Sequence, residues 1–180
     1  NFNGTDTLTV VSTDSNAVVD TDTVTIAVTS VNDAPVNTVP GAQTVNEDTA
    51  LSISGLSVTD VDGNLATTAL TVGNGTVTVS LAGGATISAG ANGTGTLTLA
   101  GTQAQINAAL ASLSYQGNLN FNGTDTLTVV STDSNAVVDT DTVTIAVTSV
   151  NDAPVNTVPG AQTVNEDTAL SISGLSVTDV

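Results

Sequence analysis

The 180-residue chain has 17 acidic residues and no lysine, arginine or histidine, giving a formal charge of −17, and 39% of its residues are hydrophobic. Basic side chains make most contacts with phosphate and anionic lipid, so this composition excludes nucleic acid and anionic membranes as partners. Thiol and imidazole catalysis are excluded because cysteine and histidine are absent. The many Val, Leu, Ile and Thr residues argue against disorder. We therefore expect a folded, non-enzymatic protein whose charge is balanced by cations from solvent.

The chain begins and ends with the same sequence, because Asn1–Val61 recur unchanged as Asn120–Val180, an offset of 119 residues (120 − 1). A period of this length matches one self-sufficient domain. An Asn-Asp-Ala-Pro segment follows a long alternating run at 32–35 and again at 151–154, and such a segment is typical of a linker. We predict the C-terminal strands of one repeat at 1–33, a complete repeat at 34–152 and the N-terminal strands of the next at 153–180.

Apolar and small polar residues alternate in six short runs of the complete repeat, which is the pattern of half-buried antiparallel strands. Asn-Gly turns at 74–75, 92–93 and 122–123 separate several of these runs. About seven strands in roughly a hundred residues are typical of a β-sandwich. We predict an all-β fold of tandem Ig-like, Greek-key sandwiches. The runs begin at Leu51, Thr68, Gly75, Gly95, Asp125 and Asp141.

One segment before the last two strands breaks the alternation. Ile106, Leu110 and Leu113 recur at helical spacing after a Thr102/Gln105 capping box. The pattern therefore predicts one short helix per repeat, closing one end of the sandwich. No run of apolar residues is long enough for a membrane span, so we expect no membrane insertion in this segment.

The strongest chemical signal is the run Asp60-Val61-Asp62-Gly63-Asn64. Alternating oxygen ligands followed by a glycine turn direct several carboxyl and amide groups into one concavity, which suits a hard cation such as Ca²⁺. The run lacks the glutamate at the twelfth position of a helix-loop-helix calcium loop. An ordinary Asp/Gly turn between strands would contain the same residues. The residues alone therefore leave a calcium site and a plain turn as alternatives.

The order of these motifs resembles a known family. The motifs occur in the order VNDAPV, VNED, VTDVDGN and then the strand pair DTLTVVSTDSN and DTVTIAVTSV. This order resembles that in the cadherin-like repeats of giant, type I-secreted (RTX-type) bacterial surface adhesins. The resemblance covers the full period. It implies cadherin-like sandwiches on the bacterial cell surface, with Ca²⁺ held between consecutive domains.

The resemblance also implies which residues hold the calcium. Glu47 matches the acid of the first strand, and the linker ligands are matched by Asn32 with Asp33 and by Asn151 with Asp152. On the receiving face of the following domain, the paired acids are matched by Asp60 and Asp62, with Asp133 in the adjacent hairpin. In the neighbouring repeats, the copies of Glu47, Asp60 and Asp133 are Glu166, Asp179 and Asp14.

The chain departs from the cadherin pattern in one place. Animal cadherins carry an acidic pair before the penultimate strand, whereas this chain has YQGNLNFNGTD. Either Asn118, Asn120 or Asp125 serves in its place, or the site has fewer ligands.

As a function, the resemblance implies an extender that projects an adhesive domain from the cell and supports cell adhesion and biofilm formation. Its partners would be the neighbouring repeats of the same chain. Two alternatives stay open: a self-assembling extracellular fibre or matrix protein whose partners are other copies, and a calcium-dependent polysaccharide-binding module. Concentration-dependent filaments would favour the fibre, and retention on a polysaccharide column would favour the binding module.

Overall fold

The computed structural model describes residues 1–180, which form fifteen strands and one helix. The helix has eight residues, too few to cross a bilayer, so no helix of this chain spans a membrane. The elements in chain order are β1 (Gly4–Thr13), β2 (Val19–Val28), β3 (Val36–Thr38), β4 (Gln43–Asn46), β5 (Ala50–Ser52), β6 (Ser57–Thr59), β7 (Leu65–Thr71), β8 (Gly75–Thr78), β9 (Thr86–Gly90), β10 (Thr96–Ala100), α1 (Gln103–Leu110), β11 (Ser114–Gly117), β12 (Gly123–Asp133), β13 (Val138–Thr148), β14 (Val155–Thr157) and β15 (Ser176–Thr178).

Strands β4, β5 and β7 to β13 build a β-sandwich of two sheets, and β6 pairs with β3 in a separate two-stranded sheet. The larger sheet has the order β4-β13-β12-β7-β10-β9 and the smaller one the order β5-β11-β8. The apolar core combines residues of the larger sheet, such as Leu70 and Leu127, with Val77 and Tyr115 of the smaller one. The fold class predicted from the alternating runs, all-β sandwich with one short helix, is therefore confirmed.

The complete repeat contains more strands than the sequence predicted, eleven (β3 to β13) instead of about seven. The run that begins at Leu51 is interrupted because Gly55 has a φ of +86°, and it forms β5 and β6 in two different sheets. Three short strands, β3, β4 and β9, lie outside the predicted runs. They contain three to five residues each, too few for a period of two to be recognised.

Alternation along β12 places carboxylates at both ends of its inward face. Asp125, Leu127, Val129, Ser131 and Asp133 are buried, while the residues between them are more exposed. The middle of this face packs into the apolar core, and the two aspartates lie toward its two ends. Each carboxylate accepts main-chain hydrogen bonds in a turn, as a buried charge requires.

Helix α1 begins as predicted, with the Thr102 side chain and the Gln105 side chain closing a capping box. It buries Ile106 and Leu110 in the core. On its other side, Asn107 Oδ1 accepts from the main-chain N–H of Val58 at 2.8 Å, and Asn107 Nδ2 donates to the Val58 carbonyl at 2.9 Å. The helix is therefore bound to β6, directly before the loop that starts at Asp60.

The first hairpin, β1–β2, repeats the sequence and register of β12–β13 but has no second sheet against it. Its register pairs Gly4 with Val28, as Gly123 pairs with Val147 in the second copy. Leu8 is 53% exposed in β1, whereas its copy Leu127 is fully buried in β12. The same sequence therefore forms the same hairpin in both places, and only the neighbouring strands decide what it buries.

Candidate cation site at the repeat junctions

The linker before the sandwich is held to it by several polar contacts, two of which reach carboxylates. Asn32 Nδ2 donates to Asp133 Oδ2 at 2.7 Å, and the main-chain N–H of Asp33 donates to Asp62 Oδ2 at 2.6 Å. The two carboxylates belong to the hairpin turn after β12 and to the loop after β6. The fold thus brings three segments of the chain together at one end of the sandwich, and we call this group the upstream cluster.

The loop after β6 is shaped by hydrogen bonds to the buried Asp60. The main-chain N–H of Asp60 donates to Gln103 Oε1 of helix α1 at 2.8 Å, and Asp60 Oδ1 accepts from the main-chain N–H of Asp62 at 3.0 Å. Gly63 has a φ of +69°, a conformation that glycine adopts without steric cost. The loop therefore turns back on itself and places the Asp62 carboxylate beside the linker.

Asn64 joins this loop to the linker. In one orientation of its side-chain amide, the nitrogen donates to Asn32 Oδ1 at 2.7 Å. In the flipped orientation, with the amide oxygen and nitrogen exchanged, the nitrogen donates to Asp60 Oδ2 at 2.8 Å. Asn135, in the turn after β12, also donates to Asn32 Oδ1. Asn32 is therefore the central residue of the upstream cluster, with carboxylate and amide groups on both sides.

Asp133 closes the turn between β12 and β13. Asp133 Oδ1 accepts from the main-chain N–H groups of Asn135 at 2.9 Å and Val137 at 2.7 Å. The hydrogen bond from Asn32 is the main cause that lowers the pKa of Asp133, and the two main-chain bonds add to it, although burial acts in the opposite direction. This carboxylate is therefore held in its charged form at the junction.

We expect the contact between linker and sandwich to weaken in acid. Because the folded pKa of Asp133 is lowered, its contribution to stability is present above the pKa of an unfolded aspartate, about 4, and is lost as the pH falls through the lowered value. A titration of the Asp133 carboxyl carbon by NMR should show this lowered pKa. In the Asn32→Ala variant the hydrogen bond that contributes most to the lowered pKa is removed, so the pKa of Asp133 should rise toward the ordinary value of an aspartate. An unchanged pKa in that variant would contradict the role of Asn32.

At the other end of the sandwich, Glu47 has a carboxylate oxygen without a partner. Glu47 is only 6% exposed, and its Oε1 accepts from the main-chain N–H of Val150 at 2.6 Å, while its Oε2 is buried with no hydrogen bond. A buried oxygen without a protein partner is costly, so an ion or a water molecule bound at this place would stabilise it. Glu47 lines a cleft of about 500 Å³, which we call the downstream cleft, together with Asn120, Asn122, Ser149, Val150, Asn151 and Val180.

The three residues that could replace the acidic pair, Asn118, Asn120 and Asp125, differ in their positions and hydrogen bonds. Asp125 is only 3% exposed, and its oxygens already accept from Tyr115 Oη and three main-chain N–H groups. Asn118 lies outside the downstream cleft, and its main-chain N–H donates to the carbonyl of Asn74. Of the three, Asn120 lies in the cleft with Glu47, whereas the oxygens of Asp125 are used as acceptors inside the domain.

A second cleft, of about 200 Å³, lies beside the upstream cluster, and we call it the upstream cleft. Four of its residues are the copies, 119 positions earlier, of residues in the downstream cleft. These four are Asn1, Asn3, Ser30 and Val31. Asp33 and Asp62 complete the contact with the following domain. The two clefts therefore occupy equivalent positions in successive repeats. The upstream cleft includes Asp33 and Asp62 on the side of the following domain, and the downstream cleft includes Glu47 on the side of the preceding domain.

The remaining predicted ligands either make hydrogen bonds within their own turn or linker or are exposed. Asp14 Oδ1 accepts from the main-chain N–H groups of Asn16 and Val18 in its own turn, both at 2.8 Å. Asn151 Nδ2 donates to the carbonyl of Asp152 at 2.9 Å, as Asn32 does to Asp33 in the earlier copy. Glu166 and Asp179 are exposed.

The donor set of the junction consists of oxygen atoms. The acidic side chains by themselves do not form a group of three or more that could hold a metal ion, so amide and main-chain oxygens would have to complete a site. Carboxylate, amide and carbonyl oxygens are the ligands that calcium prefers, and softer metals are disfavoured by the lack of sulfur and imidazole. The unpartnered Oε2 of Glu47 supplies the independent sign that the residues fit such an ion.

Some residues of the junction were not predicted from the sequence. Asn135 contacts the linker, Gln103 holds the Asp60 loop and Asn122 lines the downstream cleft. Asp139 Oδ2 accepts from the main-chain N–H of Asn37 at 2.7 Å and thereby fixes β3 to the sandwich. Only the spacing Asp133-Ser134-Asn135, similar to Asp60-Val61-Asp62, could have pointed to Asn135.

Comparison with known structures returns β-sandwich proteins at low identity. The fibronectin(III)-like modules of Clostridium thermocellum CbhA align over 82% of this chain and 64% of theirs, with 15% identity and a TM-score of 0.36. Protocadherin Gamma B2 extracellular cadherin domains 1-5 align over 98% of this chain and 32% of theirs, with 15% identity and a TM-score of 0.48. The chain therefore spans less than two thirds of the length of either.

Sequence comparison gives a more specific result. No curated protein matches the chain. A family model does match, over residues 49–142, and its description is Protein GAMETE EXPRESSED 2 domain. The matched residues run from β5 into β13 and so cover most of the sandwich. Because they make up just over half of the chain, the chain belongs to the Protein GAMETE EXPRESSED 2 domain family.

Proposed function

We propose that the chain is a spacer segment of an extracellular adhesion protein, in which Ca²⁺ at the repeat junctions stiffens a string of β-sandwich domains. The observation that carries the proposal is the upstream cluster, where Asn32 and Asp33 of the linker meet Asp133 and Asp62 of the following domain. The motifs that resemble bacterial cadherin-like adhesin repeats favour a bacterial cell surface, adhesion and biofilm formation as the setting.

The charge of the chain supports a cation at this place. With 17 acidic residues and no basic side chain, no ion pair between side chains can offset the repulsion. Asp133 and Asp62 each accept a hydrogen bond from the linker, at Asn32 and at the main-chain N–H of Asp33, and Asp60 lies in the same loop as Asp62. A divalent cation would neutralise part of this charge where the domains meet and so favour the ordered linker.

Both halves of the junction would contribute ligands in an uninterrupted array. By the 119-residue period, the downstream cleft would supply Glu47, an amide from Asn120 or Asn122 and the linker residue Asn151, with Asp152 following it in the linker. The following domain would supply Asp179, the copy of Asp60, together with copies of Asp62, Asn64 and Asp133. These groups contain enough oxygen atoms for the six to eight ligands that calcium takes.

The expected gain in junction stability follows from mass action. Extracellular calcium modules have dissociation constants of about 0.1–1 mM, so about 10 mM calcium would add roughly 1.4–2.7 kcal/mol for each site. That is enough to order a linker but less than the stability of a typical domain. Removing calcium should therefore free the joints before it unfolds the sandwiches.

Small-angle scattering of a chain with three or more whole repeats tests the proposal. With millimolar calcium we expect a rod-like distance distribution, and after chelation a shorter maximum dimension or a broader distribution. Asp62→Asn in every repeat should remove most of the calcium response, whereas Asp141→Asn removes an equal charge from strand β13, outside the upstream cluster and both clefts, and should retain it. The same profile with and without calcium would contradict the proposal. Particle mass that grows with concentration would favour the self-assembling fibre instead.

A further inference from the structure

Two segments of the chain are copies of segments that lie against each other inside the complete repeat. Residues 1–33 repeat 120–152, which form the hairpin β12–β13. Residues 153–180 repeat 34–61, which form β3 to β6. In the complete repeat the two segments meet along a seam of strand pairing, hydrogen bonds and apolar packing. The structure therefore shows how residues 1–33 and 153–180 would fit together.

The first part of the seam is a parallel strand pair. β4 is an edge strand of the larger sheet and pairs with β13 from Gln43 beside Ile145 to Asn46 beside Thr148. In the copies this pair is missing, because β2 pairs only with β1 and residues 162–165 form no strand. A free strand edge exposes main-chain hydrogen-bonding groups to which another strand can pair. The chain thus contains both a free edge and the segment that covers the same edge elsewhere.

The second part of the seam is a set of hydrogen bonds to carboxylates. The main-chain N–H of Asn37 donates to Asp139 Oδ2 at 2.7 Å, and the main-chain N–H of Val150 donates to Glu47 Oε1 at 2.6 Å. The two carboxylates therefore have main-chain partners in the complete repeat without any basic residue. Their copies are exposed and make neither bond. These copies are Asp20 and Glu166.

The third part of the seam is apolar. Ile53, Leu56 and Val58 belong to the same buried core as Val143 and Ile145 of β13. The copies of all five are exposed, from 44% to 63%. Exposed apolar side chains grouped on one surface are typical of an interaction site. The five copies are Ile172, Leu175, Val177, Val24 and Ile26.

We propose that copies of this chain associate with one another through this seam, residues 153–180 of one copy docking on the hairpin β1–β2 of the next. Residues 162–165 pair in parallel with β2, as β4 pairs with β13, and Ile172, Leu175 and Val177 cover the apolar face of the hairpin. The contact adds a third strand and a second layer to a lone hairpin, which is marginal in water. Because the two contacting surfaces differ, the contact is heterologous and the array can grow.

The chain cannot easily make this contact with itself. The eleven residues of β12 run from beside the downstream cleft to the upstream cluster, a length of about 36 Å. Ten residues (162 − 152) lead from Asp152 to Gln162, and they extend over at most about 36 Å. Ile26 lies farther away, beyond the upstream cleft, and a fully extended linker would also lose β14. The second copy is therefore the occupant that fits.

This association goes beyond the proposed function and does not depend on calcium. In a chain of whole repeats, both segments lie inside the same domain and cover each other, so the seam gives no association there. The association also depends on concentration. In the dilute solutions used for unfolding experiments, the hairpin β1–β2 stays exposed, as in the structure.

Sedimentation velocity of the 180-residue chain in a chelator tests the proposal, at a salt concentration that screens its charge of −17. We expect the mass to rise with concentration from one chain through two to three and more. Ile26→Asp and Ile172→Asp each bury an unpaired charge in the contact, so each variant should stay at the mass of one chain. Leu119→Asp adds the same charge at an 81% exposed position outside both segments and should associate like the unchanged chain.

A mixture of the two variants distinguishes this contact from other modes of association. Ile26→Asp keeps an intact docking segment and Ile172→Asp keeps an intact hairpin, so the mixture should form pairs of chains and nothing larger. Both positions are exposed in the single chain, at 44% and 54%, so neither substitution should unfold the sandwich. A constant mass of one chain for the unchanged protein would overturn the proposal. Association of Ile172→Asp by itself would also overturn it, because the hairpins would then pack on each other.

Discussion

Replacing Asp125 by alanine is expected to lower the free energy of unfolding of the sandwich by about 3–5 kcal/mol. Asp125 is 3% exposed, and its carboxylate accepts from Tyr115 Oη at 3.0 Å. It also accepts from the main-chain N–H groups of Gly73, Asn74 and Thr126. Alanine would remove this acceptor from the Tyr115 hydroxyl and from three main-chain N–H groups, and a buried donor left unpaired costs about 1–3 kcal/mol.

The chain contains a matched control for this substitution. Asp6 has the same sequence neighbours in β1 as Asp125 has in β12, but it is exposed and accepts only from the main-chain N–H of Thr7. We expect Asp6→Ala to change the stability by no more than about 0.5 kcal/mol. Urea unfolding followed by circular dichroism at the single tyrosine, Tyr115, measures both variants. Equal losses for the two would mean that the hydrogen bonds around Asp125 contribute little.

The second large effect is expected for Leu127→Ala, which should destabilise the sandwich by about 2–5 kcal/mol. Leu127 is fully buried between the two sheets, in the same cluster as Tyr115 and Val77. Removing most of its side chain loses its burial free energy and leaves a cavity that the rigid β-strands around it cannot close. The loss should appear in both the midpoint and the extrapolated free energy of urea unfolding, with an unchanged slope.

Leu8→Ala is the control, because Leu8 occupies the same place in the identical hairpin β1–β2 and is 53% exposed. Its loss should be within about 0.5 kcal/mol of zero. A loss as large as that of Leu127→Ala would show that the first hairpin is packed against another surface in solution. That result would contradict the exposed state of β1–β2 and would favour assembly between copies.

Much of the fold could be predicted from short-range patterns. The long runs that begin at Asp125 and Asp141 became β12 and β13, because a period of two over ten residues specifies a strand with one buried face. The capping box of Thr102 and Gln105 specified where α1 begins, since its two hydrogen bonds are local. The break at Gly55 and the short strand β9 could not be recognised, because pairing across the sheet decides them.

The candidate site could be predicted in part. Asp60 and Asp62 were selected because alternating acids before a glycine form a local turn, and the structure places Asp62 against the linker residue Asp33. The use of Asp125 inside the domain could not be foreseen, because its partner Tyr115 and the turn at Gly73 belong to other strands. The position of Asn122 beside Glu47 likewise depends on the path of two distant segments.

The sequence by itself determined the local conformation of this protein, and the tertiary structure decided what that conformation does. Residues 1–61 and 120–180 are identical, and both form an antiparallel hairpin with the same register, because strand pairing and turn geometry depend on neighbouring residues. Yet Leu8 and Asp6 are exposed, while Leu127 and Asp125 are buried. Burial, hydrogen-bond partners and shifted pKa values depend on which other segments cover the hairpin, and no local pattern contains that information.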